Sequence, residues 1–177
     1  MRFFTLEQGR MWCGSDSRFL NDDRNPKTRD AILQWKRFLL SELPAVRLHW
    51  FAGTLLDVLG PWEEALFLIT DSRAWGQENL HLYYRFRQAY GDHSVLSESP
   101  CHLVFNYEKP DLQTLVELSL LNGWSAHVFT SHDYGRLFLS ASHYVEIGVQ
   151  DLDKIASFNE TLGRADLHLP GTDTASD

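Results

Sequence analysis

The chain has 177 residues, 44% of them hydrophobic and 23% charged, the proportions of one globular domain rather than of a disordered or two-domain chain. Its net charge of −8 is unevenly spread: residues 1–47 hold nine Lys/Arg against six Asp/Glu, and the remainder holds seven against eighteen. A body this acidic repels a phosphate backbone, which argues against nucleic acid as a partner, and no apolar run approaches the length that crosses a bilayer.

Residues 2–6 read as a first strand and lack the apolar stretch of a secretory signal. Residues 9–25 are polar and rich in Gly, Ser and Asp, with Met11, Trp12 and Phe19 as anchors, and read as one long loop. A helix is predicted from Asn25 and Pro26, a capping residue followed by proline at the first helical position, as far as Pro44. Within it Ile32, Trp35, Leu39 and Leu43 recur at helical spacing. Residues 46–59 fit either a short buried helix or extended chain, and Gly60-Pro61 then breaks the run. The compact apolar stretch 65–70 predicts a buried strand, and 78–90 a helix with Leu80, Tyr83, Tyr84 and Arg87 along one side and Gly91 as its stop.

Residues 101–107 predict a strand, Pro110 opens a helix running to Leu121, and 126–131 predict the next strand. That spacing fits a right-handed βαβ crossover with two neighbouring parallel strands. A tight turn at 132–135 leads into an antiparallel hairpin of 136–140 and 144–147. Residues 150–162 read as a last helix with Ile155, Phe158 and Leu162 inward. The expected fold is therefore α/β, a mixed sheet with helices packed on it, forming one domain over 1–165 followed by a frayed tail over 166–177.

Gly-rich phosphate loops, HExxH, paired CxxC and GxSxG patterns are all missing, so no cofactor is expected. In open parallel sheets, ligands bind beyond the carboxyl ends of the strands. Three polar clusters would meet there: Asp71, Ser72 and Arg73; Asn106, Tyr107 and Glu108; Ser131, His132 and Asp133. They supply a base (His132), carboxylates (Asp71, Glu108, Asp133) and an anion binder (Arg73), the parts of a small hydrolase-like enzyme. Such residues also end strands merely because they make turns. His102 and His127, on strands expected to be neighbours, offer two imidazoles for a metal, with His143 approaching from the hairpin. Without a carboxylate or Cys at fixed spacing that support is thin, and a hydrogen-bonded core histidine is the simpler reading.

The two cysteines, Cys13 and Cys101, fit a reducing, cytoplasmic setting rather than a disulfide framework. Trp12, Phe19, Arg85 and Arg87 are the residues a protein-contact surface would use. Charge asymmetry, spare aromatics and missing catalytic patterns together favour a soluble, non-catalytic module whose partner is another protein, a basic one suiting the charge. Pairing of the edge 144–147 with its own copy would instead give a homo-oligomer.

Overall fold

Among the described residues, eight strands in the order β1-β4-β3-β5-β6-β7-β2-β8 form one sheet in which every pair of neighbours is antiparallel. The computed structural model describes residues 1–13, 33–40, 43–72, 77–131, 135–140, 142–167, 169 and 171–173. The strands are β1 (Arg2–Phe4), β2 (Gln34–Leu39), β3 (Glu64–Asp71), β4 (Cys101–Phe105), β5 (Ser125–Thr130), β6 (Gly135–Ser140), β7 (Tyr144–Val149) and β8 (Gly171–Asp173). The helices are α1 (Leu6–Cys13), α2 (Leu48–Val58), α3 (Gln77–Ala89), α4 (Lys109–Asn122) and α5 (Leu152–Arg164). Among the described residues no helix is long and apolar enough to cross a membrane.

Alternation along the strands sorts the side chains onto two faces. One face carries Phe38, Phe67, Val104, Val128, Leu137 and Ile147, and α2, α3, α4 and α5 contribute to the core built on it. Phe158 of α5 shows the packing: it meets Phe38 edge-on at 5.1 Å and Phe51 of α2 at 6.1 Å. The opposite face is covered at β1, β4 and β3 by α1, around Leu66, Leu68, Cys101, Leu103 and Phe129. Full burial of each such side chain is worth about 1.5–3 kcal/mol.

Local chemistry sets the helix ends. Pro110 sits in the first turn of α4, and Gly123 closes that helix in the left-handed region at φ +64°, a conformation glycine adopts without strain. Asp151 caps α5, its Oδ1 accepting the Asp153 N–H at 2.9 Å. Thr5 and Gln8 cap α1 reciprocally: Thr5 Oγ1 accepts the Gln8 N–H at 3.2 Å, and Gln8 Oε1 accepts the Thr5 N–H at 2.8 Å.

Five expectations change. Residues 171–173, read as part of a frayed tail, form β8, held by antiparallel pairing with β2. Residues 9–13, read as loop, belong to α1, nucleated by that Thr5–Gln8 capping box. Residues 34–39, read as the middle of a helix, form β2, zipped between β7 and β8; of the rest of that predicted helix, 26–32, 41 and 42 lie outside the described residues. The strands flanking α4 are not neighbours, because β3 is inserted between β4 and β5 and pairs antiparallel with both. The stretch 144–147 is not an edge, since β7 is paired on both sides, by β6 and β2. The ambiguous segment 46–59 resolves as a short 3₁₀ turn at Ala45–Arg47 leading into α2.

Candidate functional site

The insertion of β3 separates the polar clusters. Asn106 and Ser131 follow β4 and β5 at one end of the sheet, while Asp71 and Ser72 end the antiparallel β3 at the other. Asp71 and Glu108 therefore do not converge. Arg73, His132 and Asp133 lie outside the described residues. At the first end the polar groups secure the backbone: Asn106 Nδ2 donates to the Trp62 carbonyl at 2.8 Å, and Ser131 Oγ accepts from Glu63 and Glu64 N–H at 3.3 and 3.2 Å. Glu108 accepts the Phe105 N–H at 3.1 Å and pairs with the amino group of Met1.

The two histidines are on opposite faces. His102 pairs with Phe67 and faces the helices, whereas His127 pairs with Leu68 on the other side, with β3 between them. They cannot share a metal, and among the described residues no group of three or more His, Cys, Asp or Glu is placed to hold one.

His102 sits instead in an enclosed hydrogen-bond chain. Its Nδ1 faces the Phe67 carbonyl at 3.3 Å, an acceptor only, so Nδ1 carries the proton and Nε2 is bare. Tyr83 Oη, 2.7 Å from Nε2, must then be the donor, and Arg87 NH1 in turn donates to Tyr83 Oη at 2.8 Å. Arg87, nominated for a contact surface, is wholly buried; its guanidinium also reaches Asp92 at 2.6 Å, Ser94 at 2.7 Å and the Ser99 carbonyl at 3.1 Å. Burial, then the charge of Arg87, hold His102 down to about pKa 3. A neutral imidazole so enclosed is a structural group, not a base for solvent-borne substrate. His127 is likewise pushed down to about 4, by burial and then by Arg136; its ring lies 4.7 Å from Phe138, and among the described residues its buried Nε2 has no hydrogen-bond partner.

A cavity of about 350 Å³ opens beside the end of β3, lined by Leu6, Leu68, Ile69, Thr70, Leu96 and Pro100, with Ser72 and Ser97. Among the described residues that line it none is ionisable.

The remaining chemistry is on the surface beside β1. Phe105 and Tyr107 stack with ring centroids 5.7 Å apart and planes 2° from parallel, and the Arg2 guanidinium lies over Phe105 at 5.4 Å. Tyr107 is nevertheless 80% exposed. Trp12 is half-buried and donates its indole N–H to Glu64 Oε2 at 2.9 Å; Glu64 is the cross-strand partner of Phe105. The exposed Glu63 accepts the Asn106 N–H through its carbonyl at 2.9 Å, next to Tyr107. Of the other contact candidates, Arg85 is exposed on α3, and Phe19 lies outside the described residues. The Phe-x-Tyr spacing that builds the stack was visible in the sequence, but reading Tyr107 as a polar strand-end residue hid it.

Compared with family models, curated proteins and solved structures, the chain matches none.

Proposed function

We propose that this protein is a non-catalytic binding module that takes a basic segment of a partner protein on the surface formed by Phe105, Tyr107, Trp12 and Glu64. The observation that carries this reading is the Arg2–Phe105–Tyr107 arrangement, in which the aromatic stack already holds one guanidinium of its own chain while Tyr107 remains open. An aromatic face with a carboxylate beside it suits a Lys or Arg side chain, through cation–π attraction and ion pairing together. Fixing Tyr107 against Phe105 removes rotamer freedom before a partner arrives, which lowers the entropic cost of binding. The net charge of −8 favours encounter with a basic partner.

The test is titration with a deca-arginine or deca-lysine peptide, followed by two-dimensional NMR. The reading expects shift changes concentrated at Arg2, Glu64, Phe105 and Tyr107, and Tyr107→Ala weakening binding about tenfold or more, as for an interface hot spot. Shifts spread evenly over all acidic residues, or unchanged affinity in Tyr107→Ala, would overturn it.

A further inference from the structure

The other chemistry on this face belongs to the cysteines. Distant in sequence, Cys101 lies in the buried cluster beneath α1 and Cys13, at the end of α1, packs against that same cluster. Gly9 is the reason α1 lies so low: a Cβ there would stand 2.6 Å from Cys101 Sγ, so helix backbone rests on the thiol. Cys13 follows Gly9 by four positions and therefore shares its face of the helix. Helical side chains lean toward the N-terminus and cover the preceding turn, which here is the turn of the side-chain-free Gly9, directly over Cys101. Cys13 is also the last residue of α1, where the helical ladder ends, so its side chain can approach Cys101 without breaking a helix.

We infer that Cys13 and Cys101 form a reversible intramolecular disulfide on exposure to a low-molecular-weight disulfide such as oxidised glutathione, stapling α1 to β4. Cys13 is half-buried and Cys101 fully buried, so the oxidant meets Cys13 first. The Cys13 thiolate attacks one sulfur of the small disulfide, whose S–S bond breaks and releases one small thiolate. Cys101 then loses its proton to solvent and attacks the Cys13 sulfur, expelling the second small thiolate. Two protein thiols are oxidised by two electrons, and the small disulfide is reduced to two thiols that take up the protons. Burial pushes the Cys101 thiol up to about 12, Cys13 adds to the rise, and the Arg10 guanidinium opposes it, so closure is the slow step. Among the described residues the buried Nε of Arg10 has no hydrogen-bond partner.

The experiment treats the reduced native protein with oxidised glutathione at about pH 8, where free thiols begin to ionise, then alkylates in denaturant and measures intact mass and linked peptides. The expected product is monomeric, lighter by two hydrogens, resistant to alkylation at both cysteines and restored by reductant. It carries a Cys13–Cys101 linked peptide, and its thermal midpoint is higher by on the order of 5 °C. Cys101→Ser, checked for native circular dichroism, and Cys101→Ala as a second variant should both stop at the glutathione adduct of Cys13. A stable wild-type adduct at Cys13, a Cys13-linked dimer, two unreacted thiols, or closure only in denaturant would each overturn the inference.

Discussion

Tyr83 Oη and His102 Nε2 meet at 2.7 Å, and neither residue is exposed to solvent. The tautomer fixed by the Phe67 carbonyl gives this contact a direction, from phenol to imidazole, with Arg87 donating to the phenol from behind. The whole run of donors ties α3 to β4 and β3.

Tyr83→Phe keeps the ring and removes the donor. His102 Nε2 is then buried without a partner, at an expected loss of about 1–3 kcal/mol in stability. Urea unfolding should show a lower midpoint at unchanged slope; an unshifted midpoint would mean that the pair contributes nothing.

Acidification should weaken the fold through both buried histidines. Their folded-state pKa values, about 3 for His102 and about 4 for His127, lie below the ordinary 6.5. Below 6.5 the unfolded chain therefore takes up protons that the folded chain does not. The contribution is fully present above 6.5 and is lost as pH falls, through both groups to about 4 and through His102 alone to about 3. Each group adds a slope of about 1.4 kcal/mol per pH unit. His127→Phe should remove one of the two slopes, so relative to wild type it gains roughly 2 kcal/mol between pH 7.5 and pH 5. Parallel stability curves for the two proteins would refute this.

Gly9→Ala should change sign with its neighbour. In the wild-type background the new Cβ meets Cys101 Sγ at 2.6 Å, and lifting α1 costs about 1–3 kcal/mol. With Cys101→Ala in place the nearest remaining atom of that residue is Cβ at 3.4 Å, and the better helix propensity of Ala then adds up to about 1 kcal/mol. Equal effects in both backgrounds would show that α1 does not rest on the thiol.

Two other glycines provide an internal contrast. The indole of Trp35 lies flat on Gly148, its cross-strand partner, with ring atoms 2.8–2.9 Å from where a Cβ would stand. A Cβ at Gly163, on the exposed side of α5, would meet no described atom within 4 Å beyond its own stretch of helix. Thermal unfolding should show Gly148→Ala destabilised by about 1–3 kcal/mol and Gly163→Ala stabilised by up to about 1 kcal/mol.

Much of the architecture is written locally. The strand around Phe67, the helices around Leu115 and Phe158, and the β6–β7 hairpin all follow from periodicity, proline and glycine, and the structure contains each of them. Trp35 and Leu39 explain the main departure, because a spacing of four places two residues on one face of a helix and also on one face of a strand. What decides for β2 is pairing with β7, remote in sequence and invisible to any local window. The same holds for β3, whose insertion between β4 and β5 removes a crossover that local spacing allowed and disperses the polar cluster built on it. Arg87 illustrates a third kind of departure: charge predicts exposure, and only the meeting of Tyr83, Asp92, Ser94 and Ser99 around it makes burial tolerable.

The placement of β2 also bears on how the chain is made. Arg37 finds its partner Glu146 109 residues further on, and β8, on its other side, comes later still. A ribosome therefore releases β2 long before either strand that satisfies its backbone exists. During that interval Trp35 and Phe38 sit on an unpaired, aromatic-bearing strand, the kind of segment that recruits other chains or chaperones. Slowing translation between β2 and β7 should thus depress the soluble yield relative to unslowed synthesis, although the finished protein is the same in both cases.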